Sequence, residues 1–213
     1  MFIGRNHEID VLERSYVSDK FEFTVIYGRR RVGKTALINN FIQEKRAIYF
    51  MGVESNAKQN LENLSRSIYD YSSDMEMDST FASFQAAIEY VFRLAEKERI
   101  ILAIDEYPYV ARSSKSLAST LQMLIDKYKD RSKLMLILCG SSMSYMEDKV
   151  LAYKAPLYGR RTSQIKLLPF DFYETCKCFE HFSDIDKALA YGATGGTPQY
   201  ILQFNDRLSF EDN

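Results

Sequence analysis

Phe23-Thr24-Val25-Ile26-Tyr27-Gly28-Arg29-Arg30-Arg31-Val32-Gly33-Lys34-Thr35 decides the fold of this 213-residue chain. The apolar run Phe23 to Tyr27 reads as a buried strand. The glycine-rich turn after it opens a helix in which Ala36, Leu37, Phe41 and Ile42 share one face at 3.6 spacing. The turn fits G-x-x-x-x-G-K-[ST] at every fixed position. Its two glycines allow a tight turn whose backbone N–H groups converge on phosphate oxygens at a helix N-terminus. Gly28, Arg29, Arg30, Arg31, Val32, Gly33, Lys34, Thr35 and Ala36 are therefore the candidate nucleotide cradle. Lys34 would reach the β and γ phosphates, and the Thr35 hydroxyl would hold Mg²⁺. A chance glycine turn is the competing reading, and the strand before it and helix after it argue against that. The three arginine side chains are expected to face solvent or helix-packing partners, leaving the backbone to bind phosphate.

Outward from the loop, short apolar runs alternate with segments of helical period. Ala47 to Met51, Ile100 to Ile104 and Leu134 to Cys139 read as strands. Helical faces are marked by Leu61, Leu64, Ile68 and Tyr71, by Phe84, Ile88, Val91, Phe92 and Ala95, and by Leu117, Leu121, Leu124, Ile125 and Tyr128. Residues 162–167 alternate, which suits an outer strand, and the polar stretch 72–79 reads as a surface loop. Five strands separated by helices imply an α/β fold: a mainly parallel sheet with helices on both faces, since parallel neighbours need crossovers. Beyond Pro169 no strand pattern remains. Residues 170–182, 184–191 and 198–204 read as short helices. The expected organisation is a core at 1–168 and a helical lid at 169–213.

Bulk composition excludes several classes. With 28 basic and 29 acidic residues the formal charge is −1, so no global attraction to nucleic acid is implied. Arg29-Arg30-Arg31 and Arg160-Arg161 remain local candidates for DNA contact. The apolar runs are too short to span a bilayer. Three cysteines and no visible signal peptide suit a reduced, cytoplasmic setting. Cys176-Lys177-Cys178 lacks the second pair that a four-ligand metal site needs.

Two strand ends carry further chemistry. The strand at Ile100 delivers Asp105 and Glu106 to the carboxyl edge of the sheet, where ligands of open α/β folds sit. Asp105 would serve the Mg²⁺ shell and Glu106 would polarise the attacking water. A solvated acidic turn is the alternative when the pair is read alone. A glutamate directly after the aspartate favours hydrolysis over kinase-type transfer. Cys139-Gly140-Ser141-Ser142 ends the next strand, so Ser141 or Ser142 would face the γ phosphate or the water; a serine N-cap for the following helix is the alternative.

Taken together, these segments resemble the archaeal-type ATPases, AAA+-like P-loop proteins of the ASCE type related to the origin-recognition and STAND NTPases. The resemblance rests on Phe2-Ile3-Gly4-Arg5-Asn6-His7-Glu8, the 27–35 loop, Ile104-Asp105-Glu106, Cys139-Gly140-Ser141-Ser142, Leu157-Tyr158-Gly159-Arg160 and Gly195-Gly196-Thr197-Pro198. It implies ATP and ADP as ligands with Mg²⁺. It further implies that Phe2, Ile3, Gly4 and Arg5 line the adenine, that Pro198 closes over the nucleotide, and that Arg160 is a finger or sensor. Asn6 departs from the usual charged residue, so no charge contact is expected there. Family members continue into winged-helix and nuclease-like domains, where DNA-directed activity would lie, and an Arg160 acting in trans would require an oligomer. An ATP/ADP-controlled switch with negligible turnover is the rival functional reading.

Overall fold

The computed structural model describes residues 2–72 and 80–213; most of the predicted 72–79 loop lies outside the described residues. In chain order the elements begin with α1 (Asn6–Val17), β1 (Glu22–Tyr27), α2 (Lys34–Ile42), β2 (Ala47–Met51), α3 (Ala57–Tyr71) and α4 (Phe84–Leu94). Then come β3 (Ile100–Asp105), α5 (Tyr107–Ser113), α6 (Leu117–Tyr128), β4 (Leu134–Gly140) and α7 (Met143–Met146), which runs on as a π-turn over Glu147–Leu151. The last elements are β5 (Ser163–Lys166), α8 (Phe172–Cys176), α9 (Asp184–Thr194) and α10 (Pro198–Ile201).

Among the described residues the five strands form one sheet in the order β2-β3-β4-β1-β5, parallel at every pairing. β1, β3 and β4 are buried along their whole length, and the edge strands β2 and β5 are only partly buried. Period-2 alternation splits each central strand between two cores. Phe23, Val25, Ile100, Leu102, Leu134 and Leu136 meet α3, α4 and α6 on one face. Ile26, Ile101, Ala103, Met135 and Ile137 meet α1 and α2 on the other. A strand buried on both sides must be apolar throughout, which is why those runs read so clearly. Helix starts are set by side-chain caps. Asn56 caps α3, Ser83 caps α4 and Ser183 caps α9, while Asp171 and Glu174 form a reciprocal capping box on α8.

The sequence-predicted strands all form, with 162–167 at an edge as expected. Two helices were not read from the pattern. α1 fully buries only Leu12 and Ser15, so its apolar stripe is weak. α5 has seven residues, too few to establish a period. The expected helix over 170–182 shrinks to Phe172–Cys176, because Phe179 and Phe182 fold back in turns to join a third cluster with Phe170, Ala190 and Ile201. No helix among the described residues is long and apolar enough to cross a membrane.

Candidate nucleotide-binding site

The strand order sets β4 between β1 and β3, so the carboxyl ends of all three open onto one edge. At that edge the chain leaves β1 through Gly28, where a Cβ would lie 2.2 Å from the Leu167 carbonyl oxygen. No residue but glycine fits so close a backbone approach. The loop then turns through positive φ at Arg31 (71°) and Gly33 (91°). This orients the start of α2 at Lys34 toward the edge. Lys34 is buried, and its Nζ donates to the carbonyls of Gly28 at 3.0 Å and Arg29 at 2.7 Å. Two of the three arginine side chains have packing partners: Arg30 donates to the Tyr109 hydroxyl on α5 at 3.1 Å. Arg31 donates to the Tyr200 hydroxyl on α10 at 2.9 Å and lies over that ring.

Asp105, at the end of β3, is fully buried and fully partnered. Its Oδ2 accepts from the Thr35 hydroxyl at 2.7 Å and the Tyr49 hydroxyl at 3.1 Å, and its Oδ1 from the Glu106 N–H at 2.8 Å. Burial first, and then the Asp105 charge, raise the Tyr49 hydroxyl above the usual phenol range, so it remains a donor. The same two causes raise the buried Cys139 thiol. Glu106 adopts the left-handed region (φ 48°, ψ 41°), which costs a non-glycine residue about 1–2 kcal/mol. Its Oε2 accepts from the Ser141 hydroxyl at 3.0 Å and the Ser141 N–H at 3.4 Å. The sequence thus put Lys34, Thr35, Asp105, Glu106 and Ser141 in one place, and the fold brings them together. Ser142 occupies the N-cap position of α7 with no side-chain cap bond. Tyr49 was not foreseen, because a tyrosine in an alternating edge strand carries no signal of its own.

Beside the loop lies a cavity of about 250 Å³. Phe2, Ile3 and Arg5 line it from the N-terminal segment, and Val32, Gly33 and Ala36 from the loop and α2. Phe170, Phe179, Pro198, Ile201 and Asp206 close the far side. Gly4 is not in this wall: a Cβ there would meet Glu174 Oε1 at 2.9 Å, so it serves the packing of α8. Arg5 lies at the wall, but its Nη2 donates to the carbonyls of Val32 at 3.1 Å and Leu168 at 2.6 Å. Its guanidinium also sits over the Phe170 ring. It therefore ties the N-terminal segment to the loop and to the chain after β5. Gly196 (φ 68°) accepts from the Phe170 N–H at 2.7 Å, and a Cβ there would lie 1.9 Å from the Phe170 carbonyl oxygen.

Arg160 is not brought into this cluster. Its guanidinium binds the Asp126 carboxylate on α6 through two bonds of 2.9 and 2.6 Å and the Pro156 carbonyl at 3.0 Å. Arg160 in turn holds the Asp126 carboxyl below its usual range.

Asp105 and Thr35 suit a magnesium ion by the chemistry of their donors, one carboxylate and one hydroxyl sharing a bond. Mg²⁺ is commonly held by one or two protein oxygens together with substrate phosphates and water. No group of three or more His, Cys, Asp or Glu able to hold a metal exists among the described residues.

Known proteins give the arrangement its context. A Methanocaldococcus jannaschii protein of uncharacterised role is 35% identical over 99% of this chain, which spans 46% of that relative's length. A shorter ATP-binding protein of the same organism is 46% identical over 22% of the chain, covering 78% of that protein. A Walker-type ATPase of Pyrococcus abyssi superposes with a TM-score of 0.71 at 22% identity, covering 94% of this chain and 66% of that one. The Aeropyrum pernix ORC1 protein, solved in complex with DNA, gives 0.67 at 11% identity, covering 95% and 58%. The fold is that of the P-loop AAA+ ATPases. The profile of ATPase domains predominantly from Archaea matches residues 2–204, and the chain belongs to that family.

Proposed function

We propose that the chain binds Mg²⁺-ATP and hydrolyses it to ADP and phosphate, with Glu106 as general base. The observation that carries this reading is the Thr35–Asp105–Glu106–Ser141 constellation at one sheet edge, next to Lys34. The backbone amides of the 28–35 loop and the Lys34 ammonium bind the phosphates. Thr35 and Asp105 would hold a magnesium ion, which would supply charge neutralisation at the phosphates when bound. Glu106 accepts a proton from the attacking water as its oxygen bonds to the γ phosphorus and the bond to the bridging oxygen breaks. Ser141 orients the Glu106 carboxylate through its hydroxyl and N–H.

Residues 169–213 are read as a lid on the 1–168 core. Supporting this, they have an apolar cluster of their own, and α10 touches the loop through the Gln199 N–H on the Arg31 carbonyl at 3.4 Å. A change at the phosphates would thus reach α10 directly. Arg160 is assigned to the Asp126 clamp.

A switch with negligible turnover is the second reading, favoured by one observation: both Ser141 donors already hold Glu106. Phosphate release from ATP, measured with Mg²⁺ and with EDTA, separates the two. Hydrolysis requires release well above background with Mg²⁺ and none with EDTA. ATP binding with background release in both conditions would establish the switch, and a rise on adding duplex DNA would identify a DNA partner.

A further inference from the structure

The cavity beside the phosphate loop is walled mainly by apolar groups, which hold a purine ring by contact area without telling one purine from another. Discrimination falls to the polar side chains of the wall, which are Arg5, Cys178 and Asp206. Arg5 is spent, its guanidinium nitrogens being engaged by the Val32 and Leu168 carbonyls and the Glu8 carboxylate. The Cys178 thiol, raised by burial, lies 3.5 Å from the Glu174 carbonyl and is a weak hydrogen-bonding group. Asp206 differs. Its Oδ2 accepts from the His181 N–H at 2.9 Å, which fixes the carboxylate, while its other oxygen has no partner among the described residues. No cation pairs with it there either.

We infer that Asp206 selects a 6-aminopurine, accepting a hydrogen bond from the exocyclic amino group of the base with its free oxygen. This rests on the nucleotide-binding reading above. A carboxylate only accepts, so it meets the amino group of adenine favourably and the 6-oxo group of guanine or hypoxanthine with repulsion. Guanine also presents an N1–H and a 2-amino group, a pair of donors that a carboxylate with both oxygens free can take in bidentate fashion. Here the His181 N–H holds one oxygen in place, which hinders a two-oxygen approach and leaves the unpartnered oxygen to meet a single amino group. The 6-oxo group would further need a donor, and the one strong donor side chain in the wall, Arg5, is committed elsewhere.

The test is equilibrium binding of ATP, GTP and ITP to the wild type, Asp206→Ala, Asp206→Asn and Lys34→Ala. ITP carries the 6-oxo group and N1–H without the 2-amino group and so tests the 1,6 edge of the base apart from position 2. The wild type should favour ATP over ITP and GTP by about tenfold, the size expected for one hydrogen bond to a charged group. Asp206→Ala should weaken ATP toward ITP and leave ITP unchanged. Asp206→Asn, whose amide can donate or accept, should narrow the ratio by strengthening ITP. Equal affinity of the wild type for ATP and ITP, a preference for GTP, or a ratio unmoved in Asp206→Ala overturns the assignment. If all three nucleotides still require Lys34 in those cases, the phosphate site stands without it. A wild type that binds none of them overturns both readings.

Discussion

At the carboxyl edge of the sheet, the ends of β1, β3 and β4 hold Lys34, Asp105, Glu106 and Ser141 in a web of hydrogen bonds, each anchored to a buried strand. In the neighbouring cavity, four short stretches of chain far apart in sequence contribute mostly apolar walls. The first region is rigid because its backbone belongs to the core. The second depends on tertiary contacts such as Arg5 over Phe170 and Gly196 against Phe170. The sheet edge can therefore hold the triphosphate and do chemistry, while the cavity sets which base enters and how firmly the C-terminal segment closes on it.

The comparison breaks first at Lys34. Lys34→Ala should cost about 3 kcal/mol of ATP binding, roughly 100-fold, since hydrogen bonds to charged groups are worth about 1.5–3 kcal/mol each. Titration with a fluorescent ATP analogue reads this directly, and a loss below threefold would mean the triphosphate lies elsewhere. Next comes Gly196→Ala. The added Cβ meets backbone at 1.9 Å in a left-handed residue, so thermal unfolding should show a loss of about 2 kcal/mol and ATP affinity should fall with it. Gly192, in α9 with open space around it, is the control: its alanine variant should gain about 0.5 kcal/mol.

Tyr49→Phe sharpens the sheet-edge side. It removes one of two hydroxyls on Asp105 Oδ2, and the Mg²⁺ concentration giving half-maximal ATP binding should rise about threefold, a change of under 1 kcal/mol. Binding in EDTA should not move. The smallest effect is expected at Arg160, outside both regions. Arg160→Ala should lower stability by about 0.5 kcal/mol, as for exposed ion pairs, and leave turnover per chain unchanged. Arg160 depresses the Asp126 carboxyl, so its contribution is complete above the ordinary aspartate range near pH 4 and disappears as pH falls through the lowered value. Denaturant midpoints of the two proteins should therefore converge as the pH falls past that lowered value.

The same contrast explains what could be read from the sequence. Strands buried on both faces must be apolar end to end, so Phe23 to Tyr27, Ile100 to Ile104 and Leu134 to Cys139 announced the sheet, and the polar residues just after them announced the edge chemistry. Two strand ends meeting in space need only a parallel topology, which the intervening helices supplied. The cavity gave no comparable signal. Asp206 sits in a turn without a motif, and its place in the cavity wall depends on how the 169–213 segment packs. Tyr49 and the Asp126 partner of Arg160 were hidden for the same reason: each is a side-chain meeting between elements distant in sequence. Arg5 stood in a segment expected to contact adenine and lies at the cavity wall, yet its guanidinium is used to bind the chain to itself. α1 and α5 escaped notice because one buries little and the other is two turns long.

The central claim is that Glu106 activates water for attack on ATP held by the phosphate loop. The most direct measurement is phosphate release by Glu106→Gln alongside ATP binding by the same protein. The amide can still accept from Ser141 but cannot take a proton well, so release should fall by about 10² or more while ATP affinity stays within threefold of the wild type. Turnover equal to the wild type in that variant would contradict the role given to Glu106.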